Sequence, residues 1–296
     1  MHNIHIKQID DIASLTEALA EKGAKKILAG GTDLNLQLHK NPAAQLTLID
    51  IGCCWPLRGI WQKGQALHIG SATTFSQLID NQQIKQFFPA LWQSISQIGS
   101  KQIRNQATLG GNIANCAPAA DSLAPLLIYG AKLLLLSGIS AAYREVALAE
   151  LLAQKPREKN SPLLGQEQAI VEIILPLPQI APGTNQRSAF AKLGNRSQVT
   201  ISKINLAMLI VSDSVSGTIV DGAIALGAVG GTPFLCDVAG LFDSGLVLEK
   251  GAFDNIYLFV REQIELSIKG RASLSYKATA VKGVVDDVCR SILAMG

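Results

Sequence analysis

The apolar and polar positions of the first fifty residues predict a small β-α-β unit. Residues 14–17, Ser-Leu-Thr-Glu, have the spacing of a capping box and predict a helix that stops at Gly23. Apolar runs at 26–29 and 46–51 predict buried strands, whereas the alternation at 34–38 fits a strand or a helical turn equally well. This order favours a parallel sheet, which binds ligands beyond the carboxyl ends of its strands.

The rest of the chain mixes both periods without an internal repeat, which predicts an α+β protein. Strands are expected at 66–70, 132–136, 142–146, 170–175, 188–193, 204–211 and 224–229, and helices at 75–79, 89–98, 122–129, 256–269 and 276–293. The proline-rich stretch 176–183 predicts a boundary between two domains, 1–176 and 184–296. The second domain fits a three-stranded antiparallel sheet backed by helices.

The most distinctive stretch is 107–121, Ala-Thr-Leu-Gly-Gly-Asn-Ile-Ala-Asn-Cys-Ala-Pro-Ala-Ala-Asp. Gly110 and Gly111 allow the main chain to approach a ligand closely and to adopt a positive φ. Successive backbone N–H groups in such a turn can converge on an anion. Short polar side chains flank the glycines: Thr108, Asn112, Asn115 and Asp121. The stretch therefore predicts one wall of a nucleotide pocket.

A second double glycine follows the strand predicted at 26–29, in the sequence Gly-Gly-Thr-Asp-Leu at 30–34. Two such loops suit a diphosphate, which has two charged groups to hold. Neither loop is a GxGxxG fingerprint, and neither is a P-loop, because no Gly-Lys-Ser/Thr follows. The alternative for each double glycine is a tight turn without a ligand. Lys101 and Arg104 either attract a phosphate or are solvated charges.

Composition narrows the class of protein. The chain has 296 residues, 48% apolar and 17% charged, so a sizeable core is expected and disorder is not. A net charge of +3 is too weak to indicate nucleic acid or a membrane surface as partner. The N-terminus has no apolar signal core, and the most apolar stretch, 123–136, is too short and too interrupted to span a bilayer. We therefore expect a soluble cytoplasmic protein.

The cysteines and histidines do not predict a metal site. The cysteine count of 5 is odd and no CxxC occurs, so neither a disulfide framework nor a cluster is expected. Cys116 lies in the central stretch, where it is either a small apolar filler or a redox group. His68 lies in an alternating strand, where a solvent-facing or hydrogen-bonded role is expected.

Several further segments, together with the two glycine motifs, resemble one known family. The matching segments are 28–34 (Leu-Ala-Gly-Gly-Thr-Asp-Leu), 102–115 (Gln-Ile-Arg-Asn-Gln-Ala-Thr-Leu-Gly-Gly-Asn-Ile-Ala-Asn), 118–122 (Pro-Ala-Ala-Asp-Ser), 69–75, 126–129, 190–192 with Arg196, 223–230 with Thr232-Pro233, 271–273 and 276–277. In this order they are similar to the FAD-binding (medium) subunit of molybdenum hydroxylases. The closest likeness is to the flavin subunit of bacterial xanthine dehydrogenase.

The resemblance implies a fold and a cofactor. The fold is an α+β, FAD-binding PCMH-type domain, like that of vanillyl-alcohol oxidase and the CO dehydrogenase flavoprotein. It has two subdomains, about 1–55 and 56–176, followed by a C-terminal domain with a three-stranded antiparallel sheet plus helices. The cofactor is FAD, and the residues implied to bind it are Lys26, Ile27, Leu28, Ala29, Gly30, Gly31, Thr32, Asp33, Leu34, Ile98, Thr108, Leu109, Gly110, Gly111, Asn112, Asn115, Asp121, Ile170 and Lys192.

Roles within that set also follow from the resemblance. Residues 26–34 and 108–112 would hold the diphosphate from two sides, and Asp121 would bond the ribose or ribityl hydroxyls. Ile170 would line the adenine, and Lys192 would lie near the flavin. This sequence departs from the family at Ile98, where some relatives have an aromatic over the flavin, and at 232–235, where relatives usually have a basic residue after the proline.

The function implied is electron transfer within an assembly. FAD would take electrons from 2Fe–2S clusters of a small partner subunit and pass hydride to NAD⁺, while a molybdopterin-binding large subunit hydroxylates the substrate. A flavin supplies this chemistry itself, so the chain needs no nucleophile or metal of its own. Three alternatives stay open: a flavin subunit of a CO dehydrogenase, aldehyde oxidase or nicotinate-type hydroxylase with another acceptor; a redox-silent nucleotide-binding or assembly protein; and an independent flavin oxidase.

Overall fold

The computed structural model describes residues 3–40, 45–155, 162–196, 199–242, 245–247, 249 and 251–295. Its strands are β1 Asn3–Gln8, β2 Lys25–Leu28, β3 Gln45–Asp50, β4 Ile60–Lys63, β5 Ala66–Gly70, β6 Lys132–Ser137, β7 Tyr143–Ala147, β8 Gln168–Pro176, β9 Thr184–Leu193, β10 Ile204–Asp213, β11 Ile219–Gly227 and β12 Phe234–Leu235. Its α-helices are α1 Ile12–Ala20, α2 Leu34–Lys40, α3 Phe75–Asp80, α4 Gln82–Phe87, α5 Pro89–Ser96, α6 Lys101–Gln106, α7 Leu109–Asn115, α8 Leu123–Ile128, α9 Leu148–Gln154, α10 Ala252–Ser267 and α11 Leu274–Leu293. Within these ranges, no helix has both the length and the apolar content that a bilayer span requires.

The chain forms two compact units, each built from more than one segment. The first unit contains residues 1–81, 99–116 and 131–176, and the second contains 82–98, 117–130 and 177–296. The division after residue 176 that the sequence predicts stays a prediction about domains. Although α5 and α8 precede residue 176 in the sequence, both helices pack against the sheet of the second unit, whose strands all follow that residue.

The first unit contains two sheets. β1 and β2 both pair in parallel with β3, which gives the order β1-β3-β2 and the parallel opening that the sequence predicts. The other sheet has the antiparallel order β4-β5-β8-β6-β7. Buried apolar residues from both sheets, such as Ile49 and Val171, join Leu15 and Leu19 of α1 in one core. Ile27 of β2 and Ala29 just after it pack against this core.

The structure of the opening corrects one expectation, decides one alternative and adds one strand. The N-cap of α1 is Asp11, not Ser14, because Asp11 accepts the Ser14 N–H in a capping box. Residues 34–40 form the helix α2, which is the helical one of the two alternatives for 34–38, and none of its side chains is buried. The strand β1 was not predicted from the sequence; Ile4 and Ile6 on it are exposed, so its alternation does not face the core.

The second unit is an antiparallel sheet with helices packed against it. β9, β10 and β11 form the three-stranded arrangement that the sequence predicts, and the two-residue strand β12 extends it to the order β12-β11-β10-β9. α10 and α11 bury apolar stripes with this sheet in a single core. Lys192 lies on β9 and Asn205 opposite it on β10, so the register itself brings these two polar residues together.

Candidate functional site

The first glycine loop begins where β2 ends and leads into α2. Gly31 has a φ of +67°, a conformation that favours glycine, and its carbonyl accepts the Asn35 N–H at 3.0 Å. Among the described residues, no acceptor is found for the backbone N–H groups of Gly30, Gly31 and Thr32. Three consecutive N–H groups without a protein acceptor form the kind of backbone site that binds an anion.

The second glycine motif has a different local structure from the one expected. Thr108 is the N-cap of α7, so Gly110 and Gly111 lie in the first turn of a helix, and neither has a positive φ. The four backbone N–H groups that open this helix already donate within the protein: Leu109 to the Thr73 carbonyl, Gly110 to the Ser71 carbonyl, Gly111 to Thr108 Oγ1 and Asn112 to the Thr108 carbonyl, at 3.0–3.1 Å. The expectation of a second open row of amides is therefore wrong.

Two of the glycines are required by close packing of backbone on backbone. A Cβ on Gly30 would lie 1.9 Å from the carbonyl oxygen of Gln106, and one on Gly110 would lie 2.6 Å from the carbonyl oxygen of Ser71. Gly111 differs, because its added Cβ would approach only the Thr108 hydroxyl, at 2.9 Å. The backbone of Gly30 in the first loop therefore packs directly against Gln106, which precedes the second glycine motif.

Residues of both motifs line one cleft of about 520 Å³ in the first unit. Ala29 and Gly30 come from the first loop, and Gln106 and Thr108 from the second. The other lining residues are mostly polar: Asp50, Gly52, Cys53, Arg58, Thr74, Ser76, Gln77 and Asn105. Sequence reasoning missed Arg58, because an isolated arginine between a turn and a strand has no local signature. The two glycine motifs thus lie together, as the sequence predicts.

A side chain also connects the helices that follow the two loops. Gln37 of α2 donates from Nε2 to the Asn115 side-chain oxygen of α7 at 3.1 Å, and lies 3.4 Å from Asp33 Oδ2. All three side chains are exposed, so the connection orients the loops more than it stabilises the fold. Asp33 and Asn115, both in the predicted set, are thereby linked.

The remaining predicted residues fall into both units. In the first unit Ile27 packs against the core, Lys26 is exposed on β2, and Ile170 is buried on β8. In the second unit, Ile98 is half-buried just after α5. Arg104 donates to the Gly99 carbonyl at 2.9 Å.

Asp121 and Lys192 form a buried ion pair in the second unit. Lys192 Nζ lies 2.6 Å from Asp121 Oδ2, and each side chain is only 6% exposed. Ser202 Oγ donates to Asp121 Oδ1 at 2.5 Å, and Asn205 Nδ2 donates to the same oxygen at 3.1 Å. Lys192 also donates to the carbonyls of Gln97 and Thr200. The sequence proposed both residues for the site but did not predict that they pair.

The cysteines separate into one accessible thiol and four buried ones. Cys53 is exposed, whereas Cys54, Cys116, Cys236 and Cys289 are buried. Burial raises the thiol pKa of Cys54 and Cys116, and raises those of Cys236 and Cys289 to about 12. Cys116 ends α7 with a left-handed φ of 45° and packs as a small apolar residue. His68 pairs with Glu172 at 2.9 Å, which is a hydrogen-bonded role of the kind expected.

We expect a thiol reagent to modify one cysteine per native chain quickly. Only a thiolate reacts, and burial both shields the four buried thiols from the reagent and raises their pKa. Ellman's reagent should give one fast thiol in the native protein and all five after unfolding. The Cys53→Ser variant is the matched control and should abolish the fast phase; a fast phase that survives it would contradict the assignment.

Within the described residues, no cluster of three histidine, cysteine or acidic side chains could hold a metal ion. The donors of the cleft are instead amides, hydroxyls and one guanidinium, which suit a phosphorylated organic ligand.

Residues 3–178, a span that includes both glycine motifs, match the family described as the FAD binding domain in molybdopterin dehydrogenase. The chain belongs to this family. The resemblance drawn from the motifs, and FAD as the cofactor, are thereby confirmed.

Similar proteins extend the comparison beyond the family domain. Over 123 residues the chain is 46% identical to the xanthine dehydrogenase FAD-binding subunit of Escherichia coli O157:H7, a match that spans 41% of this chain and 42% of that subunit, less than half its length. It is 27% identical to the nicotinate dehydrogenase FAD-subunit of Eubacterium barkeri over 90% of this chain and 88% of the relative. A chain of carbon monoxide dehydrogenase from Hydrogenophaga pseudoflava superposes with a TM-score of 0.84 at 25% identity, over 99% of this chain and 98% of that one. The predicted fold class is confirmed.

The first unit fits an FAD diphosphate. The open N–H groups of the first loop and the cationic side chain of Arg58 are suited to its charges, and Gly30 has no Cβ at the contact between the loops. The cofactor-binding residues that the sequence implies in this unit stay predictions, and Arg58 lines the same cleft as two of them, Gly30 and Thr108.

Proposed function

We propose that this chain is the FAD-carrying electron-transfer subunit of a multi-subunit molybdenum hydroxylase of the xanthine dehydrogenase type. A small partner subunit would deliver electrons from 2Fe–2S clusters, a molybdopterin-binding large subunit would hydroxylate the substrate, and NAD⁺ would be the final acceptor. The observation that carries the proposal is the contact of the two glycine motifs around one cleft, in a chain of the FAD-binding family. The similarity to the E. coli subunit supports the xanthine type.

The residues of the chain would bind and orient the cofactor. Backbone N–H groups at 30–32 would donate to the diphosphate, and the missing Cβ of Gly111 would leave room for it beside α7. Gln37 would keep the two loops at a fixed separation. When bound, a flavin can exchange electrons singly or in pairs, and the protein's share of the work is binding, orientation and electrostatics.

Reduction by NADH tests the acceptor. The full-length chain, loaded with FAD and freed of excess, should lose its flavin absorbance when NADH is added without oxygen. Dithionite is the control for a reducible flavin. A flavin that dithionite reduces and NADH does not would contradict NAD⁺ as acceptor, and a chain that retains no FAD would contradict the flavin-carrying function and favour the redox-silent alternative.

A second candidate function keeps the flavin and changes the acceptor and the assembly. The carbon monoxide dehydrogenase chain covers nearly the whole length of this one, and so does the nicotinate dehydrogenase subunit, in contrast to the shorter E. coli match. These similarities favour a flavin subunit that works with another molybdenum hydroxylase and passes electrons to oxygen or a quinone. Co-purification of the native complex, followed by assays with xanthine, nicotinate and CO, distinguishes the two candidates.

The Gly111→Val variant should lose FAD and keep its fold. Gly111 is exposed and an added Cβ would approach only the Thr108 hydroxyl, so we expect the branched side chain of valine to extend into the space proposed for the diphosphate. We expect FAD affinity to fall at least about tenfold, the equivalent of about 1.4 kcal/mol. Flavin fluorescence titration measures the affinity and thermal unfolding of the apo chain measures the fold. Normal flavin stoichiometry in this variant would count against the proposed position of the diphosphate.

A further inference from the structure

Arg58 has an unusual environment in the cleft that both glycine motifs line. Its Nε is buried from solvent and has no hydrogen-bond partner among the described residues. One terminal nitrogen donates to the Gly52 carbonyl, which holds the side chain against the loop after β3. No carboxylate of the described chain lies within ion-pair distance of this guanidinium. A buried N–H without an acceptor is costly, and a native structure usually supplies one.

The neighbours of Arg58 do not neutralise it. Arg58 is the only lysine or arginine among the described residues that line the cleft. Asp50 is the one carboxylate there, and its Oδ1 already accepts the Gly52 N–H at 2.8 Å. Ala29 and Gly30 line the same cleft, so Arg58 and the start of the loop whose N–H groups lack acceptors border one space.

We propose that Arg58 is a binding residue for the diphosphate of the dinucleotide, completing with its guanidinium the anion site that the backbone of residues 30–32 begins. The inference rests on the proposed flavin-carrying function and adds a side chain to it. An arginine suits this role because its planar donors match phosphate oxygens and it remains charged at any working pH. The part of the guanidinium that borders the cleft would then donate to a phosphate oxygen, next to the N–H groups of the first loop.

The Arg58→Gln variant should bind FAD about tenfold to a hundredfold more weakly, because it loses a hydrogen bond between two charged groups. Arg58→Lys keeps the positive charge but not the planar guanidinium, so its loss of FAD affinity should be smaller than that of Arg58→Gln. Arg261→Gln is the matched control: it removes an exposed arginine that pairs with Glu265 and does not line the cleft. Its FAD affinity should equal that of the wild type.

Two further readouts separate binding from a merely structural role of Arg58. Raising the salt concentration should weaken FAD binding in the wild type and less so in Arg58→Gln, because one cation–phosphate contact is gone. Inorganic pyrophosphate should slow alkylation of Cys53, which lines the same cleft, in the wild type and not in Arg58→Gln. If Arg58 had only a structural role, Arg58→Gln would change the unfolding temperature of the apo chain. It would change neither the salt dependence of FAD binding nor the protection of Cys53 by pyrophosphate.

The outcomes distinguish this inference from the proposed function. Wild type that retains FAD, with an Arg58→Gln variant of equal affinity and salt dependence, would overturn the role of Arg58 and leave the flavin function in place. Wild type that retains no FAD, but whose Cys53 is protected by pyrophosphate through Arg58, would support the anion site and overturn the flavin function. A wild type that retains no FAD and whose Cys53 is not protected by pyrophosphate would overturn both.

Discussion

Replacing Gly30 by alanine should abolish FAD retention and lower the free energy of unfolding by about 3 kcal/mol, the upper end of the usual cost of overpacking. The new Cβ would lie 1.9 Å from the carbonyl oxygen of Gln106, so the two loops must separate. Since the neighbour is backbone, no side-chain rotation can relieve the contact. Flavin content after gel filtration and denaturant unfolding of the apo chain measure the two effects.

Gly283→Ala is the matched control for that substitution. Gly283 lies within α11, and its added Cβ would meet nothing within 4 Å. This variant should retain FAD and gain up to about 1 kcal/mol, since alanine is the better helix former. A Gly30→Ala protein with wild-type stability and flavin content would show that the close contact between the loops is not required.

Breaking the buried pair of Asp121 and Lys192 should be the most destabilising change in the second unit. Asp121→Asn and Lys192→Met should each lower the free energy of unfolding by about 3–5 kcal/mol, because each leaves a buried charge without its partner. The double variant leaves no such charge, so it should lose much less than the sum of the two. Denaturant unfolding of all four proteins gives the coupling energy directly.

An exposed pair of the same type provides the control. Lys132 and Glu145 lie 2.9 Å apart with both side chains 49% exposed, so Lys132→Met should change stability by no more than about 1 kcal/mol. Additive losses in the double variant would contradict the argument from burial. FAD affinity measured on the same proteins tests whether Asp121 also bonds the cofactor, as the family resemblance implies.

Much of the fold could be predicted from the sequence because its elements have strong periodic signals. The strands at β6, β8 and β10 and the helices α5, α10 and α11 lie within a few residues of their predicted positions. β1 was not predicted because its exposed residues Ile4 and Ile6 make the apolar alternation uninformative about the core.

The candidate site could be predicted less completely. The double glycines mark two segments that do lie together. The sequence does not show, however, which of their N–H groups already donate to acceptors that are distant in the chain. Thr73 and Ser71 provide the acceptors for α7, and both precede it by more than thirty residues. Arg58 was missed for the same reason, since the cleft that it lines is formed by segments far apart in the chain and not by any local pattern.

Hydrogen exchange of the full-length chain with and without FAD tests the central claim most directly, because it reports both glycine motifs in one experiment on the unmodified protein. We expect FAD to slow exchange in peptides that cover 29–34 and, together with them, in peptides that cover 107–115. The slowing should be larger in the peptides that cover 29–34, because the N–H groups of residues 30–32 have no acceptor in the described structure. Slowing at only one motif, or at neither, would contradict a single cofactor held between them.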